Sequence, residues 1–460
     1  MKILFVNSNL MQKENISLGI AYLSSYIKKQ GHKTELMDYT WGGTAQDCLD
    51  KIKNTSPDII GFSPRTGEIP FCFSVAAKIK KQYPDMPVIF GGVHPTVAPE
   101  ETINNESVDI VCIGEGEDAL TELLDRMENN LDISQIKNLW LKKNGQIIRN
   151  DVGPIDKDLN TRPFPDRELF DYERYLNANA YDGEVMASRG CPYNCSYCIN
   201  STLGAGYKDK GTRDVVDVIK EIKFLIENYK INRITFQDEM FTINKGWLRE
   251  FSEKYSINFS LPFMCNARVE TLDSEVCDLL KNAGCSSLNV GVEAGNSEIR
   301  RNVLNRNMSN EAIIKGFRTA KEKGLRIYAY NMIGAPYETV ANIKETMELN
   351  RQIRPDDLQA TIFQPYPGTK LYTVCKEKGW IKDGQFPVAH RMEPITSFPH
   401  ISSKELVRLQ KTFRFHVLRK SNPARAIIAL LFDLNYSRYI RFRSFIPSWV
   451  KKLLFRISWK

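Results

Sequence analysis

Short apolar runs alternate with amphipathic stretches over the first 130 residues. The run "KILFVN" ends in polar residues, and "SLGIAYLSSYIKKQ" then spaces its apolar residues as a helix does before Gly31. The alternation recurs at "DCLDKIKNTSPDIIGFSP", "FSVAAKIKKQYPDMPVIFGG" and "SVDIVCIGEGEDALTELLDRM". Buried strands separated by amphipathic helices are typical of a parallel α/β sheet. We therefore predict a Rossmann-like, doubly wound α/β domain over residues 1–130.

Small and polar residues follow these predicted strands where each strand stops. Ligands of open parallel sheets bind outside the carboxyl ends of the strands, and glycine lets a ligand approach the backbone. The candidate binding residues are Asn7, Ser8, Ser63, Thr66, Gly91, Gly92, His94, Thr96, Gly114, Glu115, Gly116 and Glu117.

The alternation stops over residues 131–182 and then resumes. Residues 131–182 form a predicted connector, with a hairpin turning at Asn144-Gly145 and a proline-punctuated stretch after it. Six further strand candidates with helical runs between them predict a partial (β/α)₆ barrel over residues 183–375, whose chemistry would gather at the carboxyl ends of the strands. Residues 376–460 are predicted to form a helical, basic C-terminal region.

The charge of the chain is unevenly distributed. The net charge of the 460 residues is +8, but residues 401–460 hold 14 Lys and Arg against two acids, so the other 400 residues carry −4. The start of the sequence lacks the pattern of a signal peptide, and no apolar run is long enough to span a membrane. We therefore expect a cytoplasmic protein whose cysteines stay reduced and available for metal.

Three of the ten cysteines lie within eight positions, in "RGCPYNCSYCIN" at 189–200. A structural zinc site prefers paired C-x₂-C units supplying four ligands, and the other cysteines in the barrel region are scattered. The thiolates of Cys191, Cys195 and Cys198 suit three corners of a cuboidal iron–sulfur cluster and leave one iron open. Zinc is the alternative.

With Tyr197 before the last cysteine and a predicted strand before the first, "CPYNCSYC" resembles the motif of the radical S-adenosylmethionine (SAM) family. The resemblance implies a [4Fe–4S] cluster on Cys191, Cys195 and Cys198, with the open iron chelated by the amino and carboxylate groups of SAM. Reductive cleavage of SAM then yields a 5′-deoxyadenosyl radical in that family. It also implies oxygen sensitivity and an external electron donor of flavodoxin or ferredoxin type.

The same resemblance assigns further positions to SAM. The acidic pair after "ITF" would receive the methionine amino group, and two residues in "CNARVETLD" and "NVGVEAG" would lie near the carboxylate or ribose. A second cation would come from "LNRNMS", and "GAPYET" would line the adenine. Solvated carboxylates and a surface arginine are the alternatives for the pair and the second cation. The implied SAM-binding residues are Tyr197, Asp238, Glu239, Arg268, Glu293, Arg306, Gly334 and Pro336.

The N-terminal domain resembles the cobalamin-binding domain of one radical SAM subgroup, through "PDIIGFS", "VIFGGVHPTVAPEE" and "VDIVCIGEGE". The Asp-x-His-x-x-Gly loop that elsewhere presents histidine to cobalt is missing. Cobalamin bound without histidine is therefore expected, with its corrin between the strand ends and the barrel mouth, and His94 as a wall residue. A degenerate domain that has lost cobalamin is the alternative.

Two cofactors facing one cavity imply a C-methyltransferase. The adenosyl radical would remove hydrogen from an unactivated carbon of a small-molecule or lipid substrate, and methylcobalamin would supply the methyl group. A cobalamin-using cyclase or rearrangement enzyme, related in pattern to the anaerobic porphyrin-ring cyclases, is the alternative within the superfamily. A non-catalytic cobalamin sensor is a third hypothesis, and the intact cysteine triad argues against it.

The tail over residues 413–460 interleaves aromatics and leucines with Arg and Lys. This composition suits an amphipathic helix on an anionic membrane, here the inner face of the cell membrane. A helical cap packed on the barrel and a patch for an acidic partner are the alternatives. Nucleic acid is not expected as a partner, since neither matched domain suggests it.

Overall fold

The computed structural model describes residues 1–11, 14–203, 205–208, 211–381, 385–387 and 394–436. It contains two compact units. The first holds Met1–Asn179 and Thr202–Lys210, and the second holds Ala180–Ser201 and Gly211–Lys460. The region that the sequence marks as a connector, up to residue 179, thus lies within the first unit.

The first unit contains a seven-stranded sheet of order β2-β1-β3-β4-β5-β6-β7. Strands β1 to β5 are parallel, and β6 and β7 are antiparallel additions at one edge. The strands are β1 (Lys2–Asn7), β2 (Lys33–Asp38), β3 (Ile59–Phe62), β4 (Val88–Phe90), β5 (Ile110–Cys112), β6 (Leu139–Lys143) and β7 (Gln146–Arg149). The helices are α1 (Leu18–Lys29), α2 (Ala45–Thr55), α3 (Ile69–Gln82), α4 (Val93–Val97), α5 (Pro99–Ile103), α6 (Glu117–Glu128) and α7 (Tyr172–Ala178).

The apolar character of the inner strands explains this sheet. Every residue of β3, β4 and β5 is buried, as expected for strands covered on both faces. Strand β1 lies between β2 and β3, so the chain reverses its direction of winding there. Such a reversal opens a crevice at the carboxyl ends of the two strands, where ligands bind in this class of sheet.

The hairpin predicted at Asn144-Gly145 is confirmed. Both residues have positive φ, 53° and 75°, as the tight hairpin turns that match strand twist require. Strand β6 pairs with β5, so the hairpin extends the sheet of the first unit.

The second unit contains six parallel strands in sequential order, which confirms the predicted partial barrel. The strands are β8 (Asp182–Val185), β9 (Arg233–Phe236), β10 (Phe263–Ala267), β11 (Cys285–Glu293), β12 (Ile327–Ile333) and β13 (Asp357–Ile362). The helices are α8 (Val215–Asn228), α9 (Lys245–Asn258), α10 (Ser274–Asn282), α11 (Asn310–Glu322), α12 (Val340–Ile353), α13 (Lys370–Glu377), α14 (Ser403–Leu418) and α15 (Pro423–Leu434).

The last two helices of the second unit pack at its barrel strands. Leu406, Leu409 and Phe413 of α14 are buried, and Gln410 Nε2 donates to the Ala360 carbonyl of β13 at 3.1 Å. Helix α15 is fixed to α14 by a buried, two-pronged ion pair between Arg414 and Asp433, with both N–O distances 2.8 Å.

Helices α14 and α15 therefore form a helical cap on the barrel, which is one of the alternatives given above for the tail, and the apolar side of α14 is covered by protein. Contact of the tail with a membrane stays a prediction. The rest of the tail, 437–460, lies outside the described residues. In the part of the chain that the structure describes, no helix combines the length and apolarity needed to cross a bilayer.

Candidate functional site

The three cysteines lie on a loop that leaves the carboxyl end of β8. The neck of this loop is closed by backbone hydrogen bonds from Arg189 N to the Gly211 carbonyl at 3.2 Å and from Arg213 N to the Ala187 carbonyl at 2.8 Å. Within the loop, Cys198 N donates to the Cys195 carbonyl at 3.1 Å, which folds the last two cysteines into one turn. These bonds tie both ends of the loop to the barrel, and we call residues 187–201 and 211–213 the cysteine loop.

Residues far along the chain hold the cysteine loop in shape. Ser196 N donates to the Leu304 carbonyl at 3.0 Å, and Leu371 N donates to the Ser196 carbonyl at 3.1 Å. The Asn305 side chain donates to the Asn194 carbonyl at 2.6 Å. The segment between β11 and α11 and the start of α13 therefore shape the loop.

The cysteine thiols form an electrostatically coupled group. Burial raises the pKa of Cys191, and it raises the pKa of Cys198 to about 11. The neighbouring Cys195 adds to both shifts, as expected for sulfurs that share one site. Such thiols ionise when a cation coordinates them. The residues therefore fit an iron–sulfur cluster, with Cys195 more buried than the other two.

Tyr197, Glu293 and Arg306 meet beside the cysteines. Arg306 Nη1 donates to the Tyr197 hydroxyl at 3.2 Å and lies 3.7 Å from Glu293 Oε1, while its Nη2 donates to the Gly291 carbonyl at 2.7 Å. Burial raises the pKa of Glu293, and Arg306 opposes that shift. Three of the residues assigned to SAM by resemblance are thus brought together in a buried polar group.

The backbone at Glu293 is unusual. Its φ is 64°, in the left-handed region that non-glycine residues rarely occupy. Such conformations persist where the surrounding structure imposes them, and they cluster at functional sites. The turn at the carboxyl end of β11 therefore fixes the direction of the Glu293 side chain.

Arg268 also contacts the cysteine loop. Its guanidinium carbon lies 3.6 Å from the centre of the Tyr193 ring, and its Nη1 donates to Cys195 Sγ at 3.5 Å. Glu270 pairs with the opposite side of the guanidinium, at 2.5 Å from Nη2 and 3.3 Å from Nε. Arg268 was assigned to the carboxylate or ribose of SAM, and its contacts here are to the protein.

The two members of the acidic pair after β9, Asp238 and Glu239, have different neighbours. The buried Asp238 carboxylate accepts from Ala187 N at 3.0 Å and from the Ser188 hydroxyl at 2.5 Å. Burial raises the pKa of Asp238 to about 6, against the hydrogen bonds that it accepts. Glu239 lies close enough to Cys191 to raise the pKa of that thiol. Asp238 thus holds the start of the cysteine loop, and Glu239 is the member of the pair beside a cysteine.

Gly334 and Pro336 form the turn after β12. Gly334 has φ 76°, and a Cβ atom there would lie 2.5 Å from Leu406 Cδ2 on α14. Its backbone N–H donates to the buried carboxylate of Glu338 at 2.6 Å. Packing against α14 is therefore one reason for glycine at this position, and Pro336 is buried beside it. Their contact with adenine stays a prediction.

In the first unit, the predicted ligand-binding residues lie at the carboxyl edge of the sheet. Ser8, after β1, donates to Glu68 Oε2 at 3.0 Å across the reversal between β1 and β3, and Asn7 donates to Asp38 at 2.9 Å. At Gly92 a Cβ atom would lie 2.7 Å from Ser63 Oγ. This edge therefore carries small and polar residues, and their contact with cobalamin stays a prediction.

The neighbouring strand ends are joined by hydroxyl groups. Thr96 Oγ1 donates to the Gly92 carbonyl at 2.7 Å and accepts from Gly114 N at 3.0 Å, which links the ends of β4 and β5. Beyond Gly114 the chain passes through Glu115 and Gly116 into α6 at Glu117. The remaining predicted positions, Ser63 and Gly91, are half-buried at the same edge.

His94 is fully buried. Its Nδ1 lies 3.3 Å from the Thr66 hydroxyl, and burial lowers its pKa to about 4. The ring is therefore neutral at physiological pH and points into the protein. Its role as a wall residue of a cobalamin site stays a prediction.

Sequence reasoning missed Tyr193, Glu270 and Ser188. Tyr193 lies between the first two cysteines, and Glu270 stands two residues after Arg268 in "ARVET". That arginine–glutamate spacing was the available signal for a paired guanidinium. No pattern in the sequence pointed to Ser188, because its partner Asp238 is 50 residues away.

Comparisons with known proteins match both units. The model of the radical SAM superfamily matches residues 185–349, and the model of the B12 binding domain matches residues 11–124. An uncharacterized methyltransferase of Pyrococcus horikoshii is 29% identical over 85% of this chain and 85% of its own. The anaerobic magnesium-protoporphyrin IX monomethyl ester cyclase of Rubrivivax gelatinosus is 23% identical over 87% of this chain and 74% of its own.

Among solved structures, the fold resembles that of the cobalamin-dependent S-adenosylmethionine radical enzyme OxsB, with a TM-score of 0.70. The match covers 96% of this chain and 72% of OxsB at 17% identity. This likeness supports the order of the two α/β units along the chain.

Proposed function

Because the chain belongs to the radical SAM enzymes that carry a B12-binding domain, we propose that it is a cobalamin-dependent C-methyltransferase acting on an unactivated carbon. Its cofactors are a [4Fe–4S] cluster, SAM and cobalamin. The observation that carries the proposal is the meeting of Tyr197, Glu293 and Arg306 beside the cysteines in a chain that also has a B12-binding domain. The methyltransferase of Pyrococcus horikoshii, similar over 85% of both chains, supports this reaction class.

The residues of the chain hold and orient, while the cofactors supply the reactive groups. When bound, the cluster and SAM supply a hydrogen-abstracting radical and cobalamin supplies the methyl group. Cys191, Cys195 and Cys198 would hold three irons. Arg306, fixed by the Gly291 carbonyl and Glu293, offers a buried positive charge for a carboxylate. A charge in such a low-dielectric site attracts its partner more strongly than it would in water.

The strand ends of the first unit would hold cobalamin through hydroxyls, glycines and backbone groups. No Asp-x-His-x-x-Gly loop is present in the sequence. His94 is buried and neutral against Thr66. We propose that cobalamin is bound without an axial histidine.

A cyclase is the second candidate, because the Rubrivivax gelatinosus relative is named for that reaction. Product mass distinguishes the two. Anaerobically reconstituted protein, supplied with cobalamin, a low-potential reductant and SAM carrying a deuterated methyl group, should add that methyl group to its substrate. Ring formation without added label would support the cyclase instead. The Cys195→Ala protein is the control.

We also propose that α15 and the residues after it contact an anionic membrane surface. Ile427, Leu431 and Leu434 are 53%, 58% and 50% exposed, and their spacing places them in one stripe along the helix. The cap leaves this stripe uncovered while Ala426, Ala429 and Asp433 face inward. Residues 437–460 follow directly in the sequence, with seven Lys and Arg and no acid. Apolar area beside positive charge suits anionic lipid, and access to a lipid substrate would follow.

A further inference from the structure

Cys195 differs from the other two cysteines in what surrounds its sulfur. It is 7% exposed, and its Sγ accepts a hydrogen bond from Arg268 Nη1 at 3.5 Å. Cys191 and Cys198 instead lie beside the backbone N–H groups of Tyr193 and Asn200, which oppose the rise of their pKa. Cys195 is thus the cysteine of the loop whose sulfur accepts a hydrogen bond from a permanently charged guanidinium.

Arg268 is held in place on two sides. The Tyr193 ring covers one face of the guanidinium at 3.6 Å, an arrangement favourable for a cation. Glu270 takes the Nη2 and Nε edge with both of its oxygens. The planar fork of arginine presents fixed N–H directions, so this pairing leaves Nη1 directed at Cys195.

Glu270 also limits the charge that reaches the sulfur. Burial opposes ionisation of Glu270, but the hydrogen bonds from Arg268 hold its pKa below the usual range, so it is a carboxylate at neutral pH. The sulfur therefore faces a guanidinium whose charge is partly balanced on its far side.

We propose that Arg268, oriented by Tyr193 and Glu270, sets the reduction potential of the iron–sulfur cluster through Cys195. Hydrogen bonds to the sulfurs, net charge and solvent exposure determine the potentials of such clusters. Reduction adds negative charge, so a cationic donor to a thiolate stabilises the reduced form and raises the potential. Glu270 acts in the opposite sense. This role rests on the cluster and not on methyl transfer.

The test is a redox titration of the reconstituted full-length protein without SAM, followed by electron paramagnetic resonance. Arg268→Met should make the midpoint potential more negative by about 59 mV, which corresponds to a tenfold change in the one-electron equilibrium constant. Glu270→Gln should shift it in the positive direction. Arg249→Met is the matched control, since Arg249 is an exposed arginine of α9 paired with Glu275 of α10, and its midpoint should equal that of the wild type.

Iron content keeps the result interpretable. If Arg268→Met loses its iron, Glu270→Gln, which preserves the shape of the side chain, still reports the effect. Unchanged midpoints in variants that retain iron would overturn the proposal. Unchanged midpoints together with weakened SAM binding would instead assign Arg268 to SAM. Neither result depends on the substrate or on methylation.

Discussion

The Asp238 carboxylate accepts a hydrogen bond from the Ser188 hydroxyl at 2.5 Å, and this contact joins the end of β9 to the start of the cysteine loop. Asp238 also accepts from Ala187 N through its other oxygen, so the two oxygens hold two neighbouring residues of the loop, one each. The carboxylate that follows β9 therefore orders the loop before any ligand is bound.

Ionisation of Asp238 should make stability depend on pH. Its pKa is about 6 in the folded chain against 3.8 for the free side chain, because burial disfavours the charge. The folded state thus binds the proton more tightly than the unfolded state does. The contribution of Asp238 to the free energy of unfolding therefore falls as pH rises from about 4 to 6, and it is constant above pH 6. Two pKa units correspond to about 3 kcal/mol. Urea unfolding of the wild type and Asp238→Asn across this range measures it. Parallel pH profiles of the two proteins would contradict the prediction.

Replacing Cys195 with Ala should abolish cleavage of SAM and lower the bound iron from about four per chain. Cys277→Ala is the control, because Cys277 is a buried cysteine of α10 outside the loop. Iron analysis and chromatography of 5′-deoxyadenosine after anaerobic reconstitution measure both effects. A Cys195→Ala protein that forms 5′-deoxyadenosine at the wild-type rate would show that the cysteines do not hold the cluster.

Cobalamin bound to the chain should lack histidine ligation. The reduced cob(II)alamin form should show no nitrogen hyperfine splitting from an axial base in its resonance spectrum. His94→Gln should leave that spectrum unchanged, since the ring is buried against Thr66. Axial nitrogen splitting that disappears in the His94→Gln protein would assign His94 as the ligand.

Gly334→Ala should destabilise the second unit by about 1–3 kcal/mol. The added Cβ would lie 2.5 Å from Leu406, and φ is 76°. Leu406→Ala alone should cost about 2–5 kcal/mol by leaving a cavity. In the double variant the clash is removed, so its cost should be less than the sum of the two single costs. Thermal or urea unfolding of the four proteins measures this coupling, and strict additivity would exclude the packing explanation for the glycine.

Deleting residues 437–460 should abolish binding to anionic vesicles and leave the second unit folded. The cap formed by α14 and α15 stays intact, including Arg414 and Asp433. Vesicle sedimentation of the full chain should show binding that weakens as salt rises, because salt screens the basic residues. Leu431→Ser, on the exposed stripe, should weaken binding without changing the melting temperature. Equal binding of the full and deleted chains would place the contact elsewhere.

The two α/β units and the position of the cysteines could be predicted from the sequence, because strand and helix periods are local. The hairpin at Asn144-Gly145 followed in the same way from the backbone preferences of two residues. The contact of Asp238 with Ser188 and the contact of Arg268 with Cys195 could not be predicted. Both depend on side-chain directions and on residues 50 and 73 positions away. For the tail, a helix of alternating basic and apolar residues has the same pattern whether lipid or protein covers it.

The contacts of Ser196 with Leu304 and Leu371 have a consequence for biosynthesis. The cysteines leave the ribosome well before the residues that shape their loop. At 5–20 residues per second, the 175 residues between Ser196 and Leu371 take roughly 10–35 s to add. During that interval the three thiols belong to an unfinished barrel. The cysteine loop can take the shape described above only after the last barrel strand and α13 have been made, so a cluster that needs the shaped loop would be inserted late in synthesis.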